Sequence, residues 1–342
     1  MHATAASSAR ISVIMPVYNG AAVLPASLPP LLAMRDAGEI AELIVVDDGS
    51  TDDTVGVARR LGIVPMSSGG RLGPGGARNA AAKVAIGDVL WFVDADVVVH
   101  ADAARLLSDA MATTRAAAVF GCYDAHPPAK NFLSQYKNLV HRYYHEREPG
   151  EAATFWAGCG AIRKDAFVAS GGFDAARYPY PSIEDIELGY RLRSRGLSIV
   201  LDPRIQGTHL KEWRLGNLLH TDIIRRALPW SRLILERTGV HDALNVGTVE
   251  RINALLALLL LVSLVLAAAR VAPLWVAVAA IIAVAFANHR LFTAFRRARK
   301  IVSDPVSATL FAIAAVAFHQ IYYVYSGAVF AWCWLERRIS AT

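Results

Sequence analysis

The stretch VLWFVDADVVVH, Val89 to His100, sets two carboxylates one residue apart at the end of an almost wholly apolar run. Apolar runs of four to seven residues without polar alternation read as parallel strands covered on both faces. ISVIMPV, Ile11 to Val17, and ELIVV, Glu42 to Val46, are two more such runs. Helical patterns separate them, near Ala22 to Ala37, Asp52 to Leu61 and Gly75 to Ala85. Strands and helices alternating in this order predict a doubly wound, mostly parallel α/β domain. In such sheets ligands collect beyond the carboxyl ends of the strands. All three strands end in polar clusters, Tyr18-Asn19, Asp47-Asp48 and Asp94-Ala95-Asp96, which therefore point to one crevice.

Residues i and i+2 of an extended segment face the same way, so Asp94 and Asp96 can converge on one point. A magnesium or manganese ion fits there and keeps open positions that prefer phosphate oxygens. The plain alternative has one aspartate capping the following turn and the other solvated. In LIVVDDGSTDDT, Leu43 to Thr54, Gly49 permits a sharp turn, and Ser50 with Asp53 reads as an N-capping arrangement that leaves Asp52 and Asp53 to the helix terminus. Asp47 and Asp48 remain free to accept a hydrogen bond from a base edge such as a uracil N–H. No G-x-G-x-x-G follows the first strand and no P-loop signature occurs, which argues against a dinucleotide dehydrogenase and a P-loop NTPase. GGRLGPGG, Gly69 to Gly76, reads as a flexible loop.

At 342 residues and 54% hydrophobic content, with mean hydropathy +0.35, the chain is too apolar to be wholly soluble. The excess lies near the C-terminus. Ile252 to Ala269 and Val271 to Ala287 are uncharged runs of crossing length. A third, Val306 to Trp334, includes His319 and Gln320 and reads as one long or broken crossing, or a re-entrant hairpin. The expected division is a flexible N-terminus (1–10), an α/β domain (11–210), interfacial amphipathic helices (211–250) and a helical membrane region (251–342). MHATAASSAR has one cation and no apolar core of signal-peptide length, so the polar part is expected in the cytoplasm. HRLFTAFRRARK, His289 to Lys300, has five Lys or Arg and no acid, which places that loop inside. Arg337 and Arg338 fit less well, since a single full crossing by the last run would put them outside. The net charge of +6 and pI near 9.3 reflect cations beside membrane segments, suited to anionic headgroups rather than nucleic acid. Cys122, Cys159 and Cys333 have no metal-ligand spacing, and a reduced protein without disulfides is expected.

ISVIMPVYN, IVVDDGSTDDT, GGARNAA, LWFVDADVVV, TFWAGCGAIRKDAF, GGFD and SIEDIELGYRL occur in the order found in family-two glycosyltransferases. The resemblance spans about Ile11 to Pro203. It implies the Rossmann-like GT-A fold and inverting sugar transfer, with Pro16, Tyr18, Asp47 or Asp48, and Arg78 holding the nucleotide. Asp94, Ala95 and Asp96 would then take the diphosphate and its metal ion. By pattern alone, Glu184 and Asp185 are acids suited to the positive end of a helix. The resemblance instead implies catalysis, with Asp185 as general base beside Glu184. A phosphate acceptor needs no base, so this pair argues for a hydroxyl acceptor. Gly158-Cys159-Gly160 would let an acceptor approach the backbone, or would serve close packing. His209 lies near the place where a histidine completes the metal shell in related enzymes; a structural histidine is the alternative.

Arg225, Arg226 and Trp230, candidates for acceptor or diphosphate contacts, are similar to the basic-plus-tryptophan signature of membrane-bound polysaccharide synthases. RRALPW departs from their Q-x-x-R-W. Leu215, Leu218, Leu219, Ile223 and Ile224 recur at helical spacing beside Lys211, Arg214 and Arg225, which suits helices in the headgroup region. Together these features lead to the expectation of a multi-pass, metal-dependent glycosyltransferase with a cytoplasmic catalytic domain. It would move a sugar from a nucleotide sugar, UDP-linked rather than GDP-linked, to a hydroxyl of a lipid or lipid-linked acceptor. The alternatives are a processive polysaccharide synthase and a non-catalytic nucleotide-binding membrane platform.

Overall fold

A computed structural model describes residues 9–236 and 247–340. Residues 1–8 of the expected N-terminal stretch and 237–246 of the expected interfacial segment lie outside the described residues. The chain forms two compact units, divided after Trp213.

The first unit opens with β1 (Ile11–Val17), α1 (Leu24–Asp36), β2 (Glu42–Asp47), α2 (Thr54–Arg60), β3 (Met66–Ser67), α3 (Gly73–Val84) and β4 (Val89–Val93). It continues with β5 (Val97–Val99), α4 (Ala103–Thr114), β6 (Ala118–Tyr123), α5 (Phe132–Arg147), β7 (Gly150–Glu151), β8 (Cys159–Arg163), α6 (Lys164–Ala169), α7 (Glu184–Ser194) and β9 (Ile199–His209). The described strands form one sheet in the order β3-β2-β1-β4-β8-β6-β9-β5, with β7 paired to β9. Alternate residues of β4 enter different cores: Val89, Trp91 and Val93 pack with Leu24, Leu28 and Leu107, whereas Leu90 and Phe92 pack with Phe120, Phe155, Phe167 and Phe173. A strand buried on both faces explains its unbroken apolar run.

The sheet is parallel where the sequence analysis placed it, through β2, β1 and β4, and mixed beyond. β8 inserts antiparallel between β4 and β6. β6 pairs parallel to β9, and β5 antiparallel to it. IVLDP, Ile199 to Pro203, is the first half of the eleven-residue β9. Pro203 falls at a register shift opposite Gly121, where its missing N–H costs no ladder bond. A Cβ at Gly121 would stand 2.0 Å from the Ile205 carbonyl oxygen, so only glycine admits this approach. Ser50 does not cap α2 as expected. Its hydroxyl accepts from the Asn19 N–H, and Asp52 accepts from Thr54 N–H instead.

The second unit begins with α8 (Leu215–His220), a π-helical segment (Thr221–Ala227) and α9 (Leu228–Glu236). α10 (Thr248–Ala268), α11 (Leu274–Ala287), α12 (His289–Lys300) and α13 (Pro305–Ile339) follow. α10 and α13 are long and apolar enough to cross a membrane; α11 and α12, bent by 62°, could together make a third span. The basic stretch expected as a loop is thus the helix α12, burying Leu291 and Phe295. The last apolar run is one unbroken helix.

Candidate active site

β1 lies between β2 and β4, all parallel, so their carboxyl ends share one edge of the sheet. Pro16 is buried within β1, and Tyr18 just beyond it is exposed. The loops after β1 and β2 are tied together: Thr51 N–H donates to Asn19 Oδ1 at 2.8 Å and Gly20 N–H to Thr54 Oγ1 at 2.7 Å. Asp47, partly buried, ends β2 and accepts from Ser50 N–H at 3.2 Å. Asp48 is buried and spent on the glycine-rich loop, accepting from Leu72 N–H (2.8 Å), Gly73 N–H (2.9 Å) and the Ser68 hydroxyl (3.0 Å). Both oxygens of Asp48 are thus engaged by the glycine-rich loop.

Arg78, projecting from α3, is 3% exposed. Its Nη2 donates to Asp94 Oδ1 at 2.5 Å and its Nη1 to Glu184 Oε1 at 3.2 Å. The guanidinium therefore joins the end of β4 to the start of α7. Burial alone would lower its pKa, yet the charges of Asp94, Glu184 and Asp185 outweigh that and raise it. Glu184 is closed off on its other side by Ser182 N–H at 2.9 Å. Asp185 accepts from Ala157 N–H at 3.0 Å and Ile186 N–H at 2.8 Å. Burial, with the neighbouring Glu184, still pushes its carboxyl up to about 7.

On the other side of Asp94, Ala95 is partly exposed and Asp96 immediately precedes β5. Val97 pairs with His209 in the β5–β9 ladder, which brings His209 Nε2 to 3.5 Å from Asp96 Oδ2. Tyr123 stacks on the His209 ring, with centroids 4.2 Å apart and planes 8° from parallel. Among the described residues no group of three or more His, Cys, Asp and Glu side chains is gathered to hold a metal ion. Asp96 and His209 form a carboxylate and imidazole pair, of which the carboxylate suits manganese or magnesium, while Asp94 is turned onto Arg78.

Gly158 and Gly160 serve packing rather than an open approach. A Cβ at Gly158 would stand 2.5 Å from the Trp156 ring, and one at Gly160 would stand 2.2 Å from the Trp156 carbonyl oxygen. Cys159 is fully buried, and burial pushes its thiol up to about 12. Arg225, Arg226 and Trp230 belong to the second unit, on the π-helical segment and α9. Tyr123, which sequence reading missed, stacks on His209 and has the Trp156 ring 4.8 Å away. Its signal was available: β6 is a further apolar run ending in a polar pair, Tyr123-Asp124.

Residues 12–170 match the family model for glycosyl transferase family 2. Validoxylamine A glucosyltransferase of Streptomyces hygroscopicus subsp. jinggangensis (strain 5008) is 30% identical over 227 residues, 56% of this chain and 53% of that protein. Poly(ribitol-phosphate) beta-glucosyltransferase of Bacillus spizizenii is 32% identical over 100 residues, 28% of this chain and 16% of that protein. The chain thus spans about half the length of the first relative, and less of the second. The solved mannosyltransferase PcManGT from Pyrobaculum calidifontis, in complex with GDP-Man and Mn2+, superposes with a TM-score of 0.55 at 21% identity, covering 95% of this chain and 87% of that one. This likeness shows the GT-A fold, followed here by a helical region with candidate membrane spans. Residues 12–170, just under half of the chain, therefore match glycosyl transferase family 2.

Proposed function

We propose that the protein is a membrane-anchored, inverting glycosyltransferase that moves a sugar from a nucleotide sugar to a hydroxyl of a lipid or lipid-linked acceptor at the cytoplasmic membrane face. One observation carries this reading: Arg78 ties the strand-end Asp94 to Glu184, next to an Asp185 whose carboxyl is pushed up to about 7. A carboxyl near neutrality is matched to taking a proton from a hydroxyl at working pH. Asp185 takes the acceptor proton as the hydroxyl oxygen bonds to the anomeric carbon, and the bond from that carbon to the nucleoside diphosphate breaks on the opposite face. Tyr18 and Asp47 receive the base, and a UDP-linked donor is favoured because Asp47 can accept from a uracil N–H. Asp96 and His209, with Asp94 near them, would hold a divalent cation, which when bound supplies positive charge to the departing diphosphate.

The acceptor assignment is supported by helices long and apolar enough for a bilayer on a chain whose sugar-transfer domain precedes them. The test is acceptor-dependent release of nucleotide from a panel of UDP- and GDP-sugars, using the full chain in detergent with manganese and extracted membrane lipids. Release that depends on lipid and vanishes in Asp185→Asn supports the reading. Nucleotide binding without release would instead indicate a non-catalytic platform.

A further inference from the structure

α12 carries five cations, Arg290, Arg296, Arg297, Arg299 and Lys300, in a part of the chain with no Asp or Glu between Glu250 and Asp304. One side of the helix is committed to α13. Leu291 and Phe295 are buried, and the Phe295 ring meets that of Phe311 with centroids 6.4 Å apart. Arg296 Nε donates to Thr309 Oγ1 at 3.0 Å, and the Arg299 guanidinium carbon stands 5.1 Å from the Phe311 centroid. The other side presents Arg290, Arg297 and Lys300, all exposed and without an acid partner among the described residues. At 3.6 residues per turn these three fall within an arc of about 80°, roughly opposite Leu291 and Phe295. The next acid along the chain, Asp304, caps α13, accepting from Val306 and Ser307 N–H at 3.0 Å. Exposed apolar side chains border the cationic stripe at both ends, Phe286 before it and Ile301, Val306 and Leu310 after it.

A single crossing built from α11 and α12 would carry these cations into hydrocarbon, where a charge without a counter-charge is costly. The bend of 62° turns α12 off the axis of α11 instead. Cations flanked by exposed apolar side chains repeat the layering of a bilayer surface, phosphates above acyl chains, which a soluble polyanion does not offer. We propose that the exposed face of α12 is a docking surface for anionic phospholipid headgroups, with Arg290, Arg297 and Lys300 against the lipid phosphates. α11 then enters the acyl layer and α12 lies in the headgroup layer, so the pair is not one continuous span. The proposal requires only that the second unit sits in lipid, and it stands or falls apart from the sugar-transfer reading.

The experiment adds phosphatidylglycerol or phosphatidylcholine to the delipidated full chain in a neutral detergent and counts retained lipid by native mass spectrometry, with inorganic phosphate as a soluble competitor. The native chain is expected to retain phosphatidylglycerol in preference to phosphatidylcholine. Arg290→Gln, Arg297→Gln and Lys300→Gln should each weaken phosphatidylglycerol about fivefold, leave phosphatidylcholine unchanged, and together erase the preference. Arg297→Lys keeps the charge and should match the native chain. Four results overturn the proposal: equal retention of the two lipids by the native chain; a preference that survives the triple substitution; a loss in Arg297→Lys as large as in Arg297→Gln, which marks packing rather than charge; or a preference abolished by phosphate at the lipid's own concentration, which marks a soluble-anion site. Circular dichroism checks that the triple variant keeps its helices, and where it does not, the single variants decide, since no change in any of them also overturns the surface.

Discussion

At the scale of single residues, the base and the cation beside it make the sharpest predictions. Asp185→Asn removes the proton acceptor while keeping the shape of the side chain, so turnover should fall on the order of 10²- to 10⁴-fold with nucleotide affinity retained. A carboxyl at about 7 is protonated below that pH and unable to act as base. kcat/KM should therefore rise about tenfold per pH unit up to near 7 and level off above it; a profile flat from pH 5 to 8 would remove Asp185 from the role. Arg78 is different, because its guanidinium neutralises two carboxylates. Arg78→Met leaves Glu184, 5% exposed, without its counter-charge, which should cost about 3 kcal/mol in thermal or denaturant unfolding. Asp94, whose side chain is 35% exposed, adds little to that loss because water screens it. The i, i+2 spacing made Asp94 and Asp96 legible as a pair, but the partition between them was not: Asp94 faces Arg78 and Asp96 faces His209. That partition depends on α3 and β9 arriving from distant parts of the chain, which no local pattern encodes.

At the scale of elements, runs buried on both faces were legible because parallel strands leave that trace, and departures came where a breaker residue is absorbed by a neighbour. Asp202-Pro203 looks like the end of a strand, yet β9 continues through it because Gly121 on β6 accommodates the shift in register. The continuation matters to the site, since β9 ends at His209. Gly121→Ala should push β9 away from β6 and cost about 1–3 kcal/mol, as overpacking does. It should also weaken manganese binding measured by calorimetry in detergent, by moving His209 away from Asp96. Unchanged metal affinity in a destabilised protein would show that the end of β9 is held independently of its middle. The helical half shows a different limit of sequence reading. Val271 to Ala287 has the composition of a crossing, but α11 has 14 residues, about 21 Å, against a hydrocarbon core of about 30 Å. Hydropathy sums apolar content and is blind to the bend after Ala287. The 3.6-residue period of Leu291, Phe295 and Ala298 would have marked α12 as a helix.

At the scale of the whole molecule, composition left open where Arg337 and Arg338 end up, and contacts inside the second unit bear on it. α13 has 35 residues, about 52 Å of helix, roughly 20 Å more than a bilayer core requires. The excess lies beside the segments that precede the first candidate span. Tyr325 donates to Asp222 at 2.9 Å, and Arg232 meets Glu336 at 3.1 Å. Near the middle of α13, Tyr323 donates at 2.5 Å to Glu250, in the first turn of α10. The segments from 214 to 236 precede α10, the first candidate span, in the chain. We predict that the end of α13 lies on the same membrane face as segments 214–236; the alternative is the single full crossing that would put Arg337 and Arg338 on the other side. Cysteines introduced singly at Ser340 and at Ser194, an exposed position in the first unit, should react with a membrane-impermeant maleimide in vesicles of the same orientation. Cys122, Cys159 and Cys333 are all buried, and the unsubstituted chain provides the background. Labelling of Ser340→Cys only in vesicles of the opposite orientation would mean that α13 separates from the 214–236 helices in the bilayer and carries the two arginines across.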